Sequence, residues 1–168
     1  ELIICIGGCM PQEESVANRL KEKYPFVNIV FGTHNINDLG TMILEANKEQ
    51  QIEVYSIEGN VYENMDYVRD SKYTAWVNIM YGCDKFCTYC IVPFTRGRQR
   101  SRKMEDIIKE VNDLKEKGYL EITLLGQNVN AYGKDLEEGY DFATLLENVA
   151  KTNIPRIRFV TSHPWDFT

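Results

Sequence analysis

No stretch of the sequence approaches the roughly 20 consecutive apolar residues that a membrane-spanning helix needs, so no membrane partner is expected. A basic excess is also lacking. The 19 Lys and Arg stand against 25 Asp and Glu, a net charge of −6, which by itself speaks against a general nucleic-acid binder. Internal repeats and low-complexity tracts are missing, which sets aside solenoids and disordered arrays. Histidine is scarce, with 2 in 168 residues, and neither lies near the cysteines. What remains is globular material, since 43% apolar and 11% aromatic residues can bury a core. The opening Glu1-Leu2-Ile3-Ile4-Cys5-Ile6 shows no basic leader and no small-residue cleavage site, so a cytoplasmic protein is expected. It starts without Met inside an apolar run, and a piece of a longer protein is expected.

The hydrophobic pattern alternates short apolar runs with helical stripes. Leu2–Ile6 reads as a strand covered on both faces, with Cys5 a small buried hydrophobe. Gly7–Pro11 is a turn, and Val16, Leu20 and the stem of Lys23 follow at helical spacing. Phe26–Phe31 is a second strand, and Asn35 is the expected cap of a helix turning Leu39, Ile43 and Met42 inward. A third strand is read over 52–57, and His34 is placed on a surface loop. Residues 58–72 carry Glu58, Glu63, Asp66 and Asp70 with little periodicity and read as a linker, with a domain boundary near 70. The rhythm then restarts. Thr74–Met80 is a strand, Ser101 caps a helix carrying Met104, Ile107, Ile108, Val111 and Leu114, and Gly118 ends it. Leu120–Leu125 is a strand, Phe142, Leu145, Leu146 and Val149 form a helix stripe, and Ile157–Val160 is a strand. Both parts are therefore β-α-β-α-β, an α/β fold with parallel sheets.

Of 5 cysteines, three fall in Cys83-Asp84-Lys85-Phe86-Cys87-Thr88-Tyr89-Cys90, a C-x3-C-x2-C pattern directly after a strand. In a reduced compartment such clustering argues metal or redox chemistry over disulfides. Chemistry in parallel α/β folds collects at the carboxyl ends of strands. Three thiolates from one short loop can hold three irons of a [4Fe–4S] cube and leave the fourth open, as catalytic metal sites keep an open position. Two alternatives stand beside this: a structural zinc site, and a four-cysteine electron-transfer cluster that recruits a distant cysteine. Just past the loop, Arg96, Arg98, Arg100, Arg102 and Lys103 make five of eight residues basic. Such a run is either a solvated face or a phosphate-contacting patch suited to RNA.

The cysteine motif, with the aromatic Tyr89 before its last cysteine, resembles the signature of the radical S-adenosylmethionine (SAM) superfamily. The longer stretch from Gly82 through Arg102 resembles that superfamily's methylthiotransferase family. Gly126-Gln127-Asn128-Val129-Asn130-Ala131-Tyr132-Gly133 and Ser162-His163-Pro164-Trp165-Asp166 are similar to its tRNA-modifying members. The sister branch, which modifies an aspartate of a ribosomal protein, typically differs after the Gly-Gln. Gly8-Cys9-Met10-Pro11-Gln12 resembles the last of three cysteine motifs in the family's amino-terminal domain, with Pro11 where a small residue is usual.

The resemblance implies a partial flavodoxin-like domain over 1–70 followed by the first part of a radical SAM (β/α) partial TIM barrel over 71–168. It implies a radical SAM [4Fe–4S] cluster on Cys83, Cys87 and Cys90. Cys9 would be one of three ligands of an auxiliary [4Fe–4S] cluster. It further implies SAM as cofactor, an electron donor such as flavodoxin or ferredoxin, and tRNA as substrate. The reaction would add a methylthio group to C2 of N6-isopentenyladenosine beside the anticodon. With one auxiliary ligand of three, this chain alone is expected to be inactive. Gln127, Asn128, Ser162 and His163 are candidate contacts to SAM or substrate; the alternative is plain polar strand ends. Tyr89 either lies by the SAM adenine or is a packing aromatic, and Arg96, Arg98, Arg100 and Arg102 are candidate RNA contacts. The other readings are a protein-modifying sister enzyme and a non-catalytic electron-transfer module.

Overall fold

A computed structural model describes residues 2–46, 51–54 and 68–167. The chain divides into two compact units, Glu1–Asn60 with Lys85–Gly97, and Val61–Asp84 with Arg98–Thr168.

The first unit runs β1 (Cys5–Gly7), α1 (Glu14–Lys23), β2 (Ile29–Phe31), α2 (Leu39–Glu45) and β3 (Gln51–Glu53). The strands form a parallel sheet in the order β1-β2-β3, with Ile6 opposite Val30 and Val30 opposite Ile52. The central strand is buried throughout, which is why Ile29, Val30 and Phe31 read as an unbroken apolar run. Ile29, Phe31, Met42 and Ala46 form the core, with Ile3 and Leu39 packed against it. Gly7 lets the Phe31 ring pack against the backbone of β1: a Cβ would lie 2.1 Å from Phe31 Cζ and displace it.

Several expectations are revised. β1 starts at Cys5 rather than Leu2, and Cys5 is exposed. Ile43 is exposed whereas Met42 is buried. Asn35 does not cap α2. It is fully buried and precedes a 3-10 turn at Ile36–Asp38, and its Oδ1 accepts from Gly32 N at 3.1 Å, a side-chain-to-backbone bond of the kind that bends loops. His34 lies in this folded-back loop at 6% exposure, so it is not a surface residue. The third strand is found at Gln51–Glu53; its expected continuation from 55 and the linker as far as 67 lie outside the described residues.

Lys85–Gly97 groups with the first unit. It contains one helical turn, α3 (Val92–Thr95). Thr33 Oγ1 donates to Thr95 O at 2.7 Å, and the Phe86 and Phe94 rings meet edge-on at 6.0 Å.

The second unit contains β4 (Thr74–Asn78), β5 (Met80–Tyr81), β6 (Arg100–Ser101), α4 (Met104–Glu116), β7 (Glu121–Leu125), α5 (Phe142–Lys151) and β8 (Arg156–Phe159). β4, β7 and β8 form a parallel sheet in the order β4-β7-β8, and β5 and β6 an antiparallel pair. Ala75 lies opposite Ile122 and Val77 opposite Leu124. These four pack with Ile107, Val111 and Leu114 of α4 and with Leu145 and Val149 of α5. Trp76, Arg156 and Arg158 alternate with them and are exposed, so one sheet face carries the core.

The expected single strand over Thr74–Met80 is broken at Ile79. Its N–H bonds to Leu125 O and its carbonyl accepts from Arg102 N, both at 2.9 Å, which passes the chain from one sheet to the other. Ser101 lies in β6 and does not cap α4, whose N-cap is Lys103. Gly118 ends α4 as expected, at φ +89°. Tyr119 N bonds to Leu114 O and Gly118 N to Lys115 O, the paired closure of a Schellman motif. The α/β class with parallel sheets is thus as expected, and among the described residues no helix is long and apolar enough to cross a membrane.

Candidate functional site

In the second unit, β4 and β5 lead through Gly82, at φ +71°, to Cys83, which is buried and in no disulfide. Beside that strand end lies the loop after β7. A Cβ on Gly126 would come within 2.6 Å of Met80 Cγ, so a larger residue would force the Met80 side chain to shift where this loop closes onto the strand that feeds Cys83. Gln127 is half-buried and Asn128 is 1% exposed. Val129 N donates to Thr161 O at 3.1 Å, and Asn128 Nδ2 donates to Asp166 Oδ2 at 2.6 Å. These bonds join the loop after β7 to the segment after β8 that carries Ser162 and His163. Ser162 is exposed and His163 half-buried. His163 Nδ1 accepts from Trp165 N at 3.3 Å, and its ring meets Trp165 edge-on at 5.2 Å.

Gln127 Oε1, Asn128 Oδ1 and Asn130 Oδ1 are buried acceptors with no hydrogen-bond partner among the described residues. A buried acceptor left so costs roughly 1–3 kcal/mol, and three within four residues make a place that a donor-bearing ligand would satisfy.

In the first unit, Cys87 and Cys90 are half-buried and in no disulfide, and Cys90 N donates to Cys87 O at 2.9 Å. That turn begins at Phe86, held at φ +46°. Tyr89 is 91% exposed, so its ring is not a packing aromatic among the described residues. Cys9 follows Gly8, at φ +115°, and its Sγ accepts from Arg96 Nε at 3.2 Å. That bond was not legible in the sequence, because 87 positions separate its partners.

The basic run is not one face. Arg96 is half-buried against Cys9 and Arg98 is exposed. Burial lowers the pKa of Arg100, opposed by the charge of Asp135 and by Tyr81. Arg102 is 5% exposed, donates to Asn78 O at 2.6 Å and pairs with Glu110 at 2.8 Å. Asp135 closes the region. Burial alone would raise its pKa, but hydrogen bonds from the Ser101 side chain and backbone and from Gln99 outweigh it, so the carboxyl lies below its usual range. Asp135, Glu110 and the carboxylate of Asp166 escaped the sequence reading, since isolated acidic residues carry no periodic signal.

A family model for the radical SAM superfamily matches residues 77–166, more than half of the chain. The chain belongs to the radical SAM superfamily. It is 60% identical, over its whole length, to the tRNA-2-methylthio-N(6)-dimethylallyladenosine synthase of Staphylococcus saprophyticus. It is 60% identical to the protein of the same name from Bacillus subtilis over 99% of its length. The Staphylococcus aureus protein of that name is 58% identical over the whole chain. The chain spans about a third (33%) of the length of each of these relatives.

Membership of the radical SAM superfamily implies a [4Fe–4S] cluster and SAM. The donors present fit both. Cys83, Cys87 and Cys90 are in no disulfide, and thiolate is the ligand such clusters take. Among the described residues no three His, Cys, Asp or Glu side chains stand gathered as a ready-made metal site. The unpartnered amide oxygens fit the other cofactor, which carries an ammonium, an exocyclic amine and two hydroxyls as donors.

Proposed function

We propose that this chain is part of a radical SAM methylthiotransferase that adds a methylthio group to C2 of N6-isopentenyladenosine beside the tRNA anticodon. The observation that carries this reading is the C-x3-C-x2-C loop, with none of its three cysteines in a disulfide, in a chain similar over its whole length to synthases of that name. We read 1–70 as the closing part of the amino-terminal domain and 71–168 as the opening part of the radical SAM domain.

Cys83, Cys87 and Cys90 are the residues that would hold the radical SAM cluster, and Cys9 one ligand of a second cluster. When bound, the cluster and SAM supply one-electron reductive cleavage of a carbon–sulfur bond and so the means to take hydrogen from an unactivated C–H. The protein's own part is to orient and to exclude. Gln127 and Asn128, with Ser162 and His163 on the adjoining segment, offer polar groups to SAM or to the base. Tyr89, clear of protein packing, is available to the adenine. Arg96, Arg98 and Arg100 stand nearest in sequence to the cluster loop for RNA phosphates; a phosphate at Arg102 would first have to displace Glu110. The electron would come from a donor such as flavodoxin or ferredoxin, in the cytoplasm where the tRNA substrate is found.

The test is anaerobic reconstitution of the full-length protein, followed by iron and sulfide analysis and detection of 5′-deoxyadenosine and methylthiolated tRNA. Wild type should show all of these. Cys83→Ala, Cys87→Ala and Cys90→Ala should each abolish 5′-deoxyadenosine formation. A cluster that forms and carries electrons without SAM-dependent chemistry would replace this reading with an electron-transfer module.

A further inference from the structure

Asp166 is almost wholly enclosed. Its side chain is 2% exposed, its Oδ1 pairs with Lys134 Nζ at 2.5 Å, and its Oδ2 accepts from Asn128 Nδ2 at 2.6 Å. A buried carboxylate needs such partners, and Lys134 supplies the opposite charge while its own side chain remains 60% exposed. The consequence for Asn128 is directional. An ionised carboxylate only accepts hydrogen bonds, so the half of the amide facing Asp166 must be the NH2 group. Oδ1 is then held on the opposite edge of the amide, in the same plane, buried and without a partner among the described residues. Without the carboxylate, nothing else described in the structure bonds to this side chain or dictates its flip.

We propose that Asp166 is a positioning residue. Through Asn128 it fixes a buried amide oxygen as an acceptor for a hydrogen-bond donor of the bound SAM, with Lys134 paired to the other oxygen of the carboxylate. The inference rests on the proposed function, because it takes the loop after β7 as part of the SAM site. It adds to that reading a residue on a different segment, after β8, that touches neither cofactor nor substrate. The donor is either the ammonium of SAM or a group of its adenosine, and one acceptor oxygen serves either.

A double-mutant cycle tests it on the full-length, cluster-loaded protein. SAM dissociation constants would be measured by equilibrium dialysis for wild type, Asp166→Asn, Asn128→Ala and the double variant, with melting temperatures taken without SAM. Each single substitution should weaken SAM binding by about tenfold. The double variant should be no weaker than either single, because Asp166 acts only through Asn128. Asp166→Asn/Asn128→Asp, which restores the bond with donor and acceptor exchanged, should recover affinity. Repeating the cycle with 5′-methylthioadenosine, which lacks the ammonium, locates the donor. Losses confined to SAM assign the ammonium, and equal losses assign the adenosine. Multiplying losses, to about a hundredfold in the double variant, would overturn the proposal, since Asp166 would then act independently of Asn128. If Asp166→Asn fails to fold, Asn128→Ala decides alone, and unchanged SAM affinity there overturns it. Wild-type protein that bound no SAM would sink the proposed function and this inference together. Wild-type binding with additive losses sinks only the role of Asp166.

Discussion

Removing the Glu110 carboxylate should destabilise the second unit by about 3 kcal/mol. Glu110 Oε1 accepts from Arg69 Nη2 at 2.9 Å and its Oε2 from Arg102 Nη1 at 2.8 Å. The two guanidiniums also serve the outer edge of β4: Arg69 Nη1 donates to Trp76 O at 2.7 Å and Arg102 Nη1 to Asn78 O at 2.6 Å. One carboxylate thus pairs with two guanidiniums that occupy carbonyls on the edge of β4 that has no strand neighbour among the described residues, a position otherwise prone to stray pairing. Breaking a buried ion pair from one side costs roughly 3–5 kcal/mol. The Glu110 and Arg69 side chains keep 18% and 16% exposure, so water recovers part of this and the lower end applies. For a unit of this size that corresponds to a fall in Tm of roughly 12–24 °C. Both tryptophans, Trp76 and Trp165, lie in the second unit, so tryptophan fluorescence during urea unfolding reports on it selectively. Glu110→Ala should lower the midpoint with little change in slope. Glu110→Gln, which keeps one acceptor, should fall between. A loss below about 1 kcal/mol in Glu110→Ala would refute the reasoning and place the triad among surface pairs of little worth.

Two further substitutions separate structure from chemistry in the motif regions. Gly133 closes the Gly126–Gly133 stretch at φ +83°, and a Cβ there would lie 2.0 Å from Tyr140 O. Gly133→Ala should therefore cost at least about 2 kcal/mol in urea unfolding, and a neutral result would show that the backbone can give. Asp135 has a lowered carboxyl pKa in the folded state. Its contribution to stability is complete above its unfolded pKa, near 4, and is lost as pH falls through the lower folded value. Stability-versus-pH curves of wild type and Asp135→Asn should therefore converge below about pH 4. Parallel curves through that window would contradict the assigned hydrogen bonds.

The local chemistry of this chain was written in its sequence. The apolar strands and amphipathic helix stripes, the Gly118 stop after α4, and the thiol spacing of Cys83, Cys87 and Cys90 all depend on periods of two and 3.6 residues or on near neighbours. Those are visible without coordinates. What tertiary structure decided is which side chains meet across long separations, and so what each polar residue is for. Arg102, read as part of a basic patch, is buried because Glu110 and the edge of β4 take its charge and its donors. Arg96 turns to Cys9. His34 is enclosed where an exposed loop was expected, and Ser101 serves a strand where a helix cap was expected. Asp166, the last residue of its motif, proves to hold the amide of Asn128. Such pairings depend on burial and partner geometry, which create or cancel the cost of a charge, and no one-dimensional pattern encodes them.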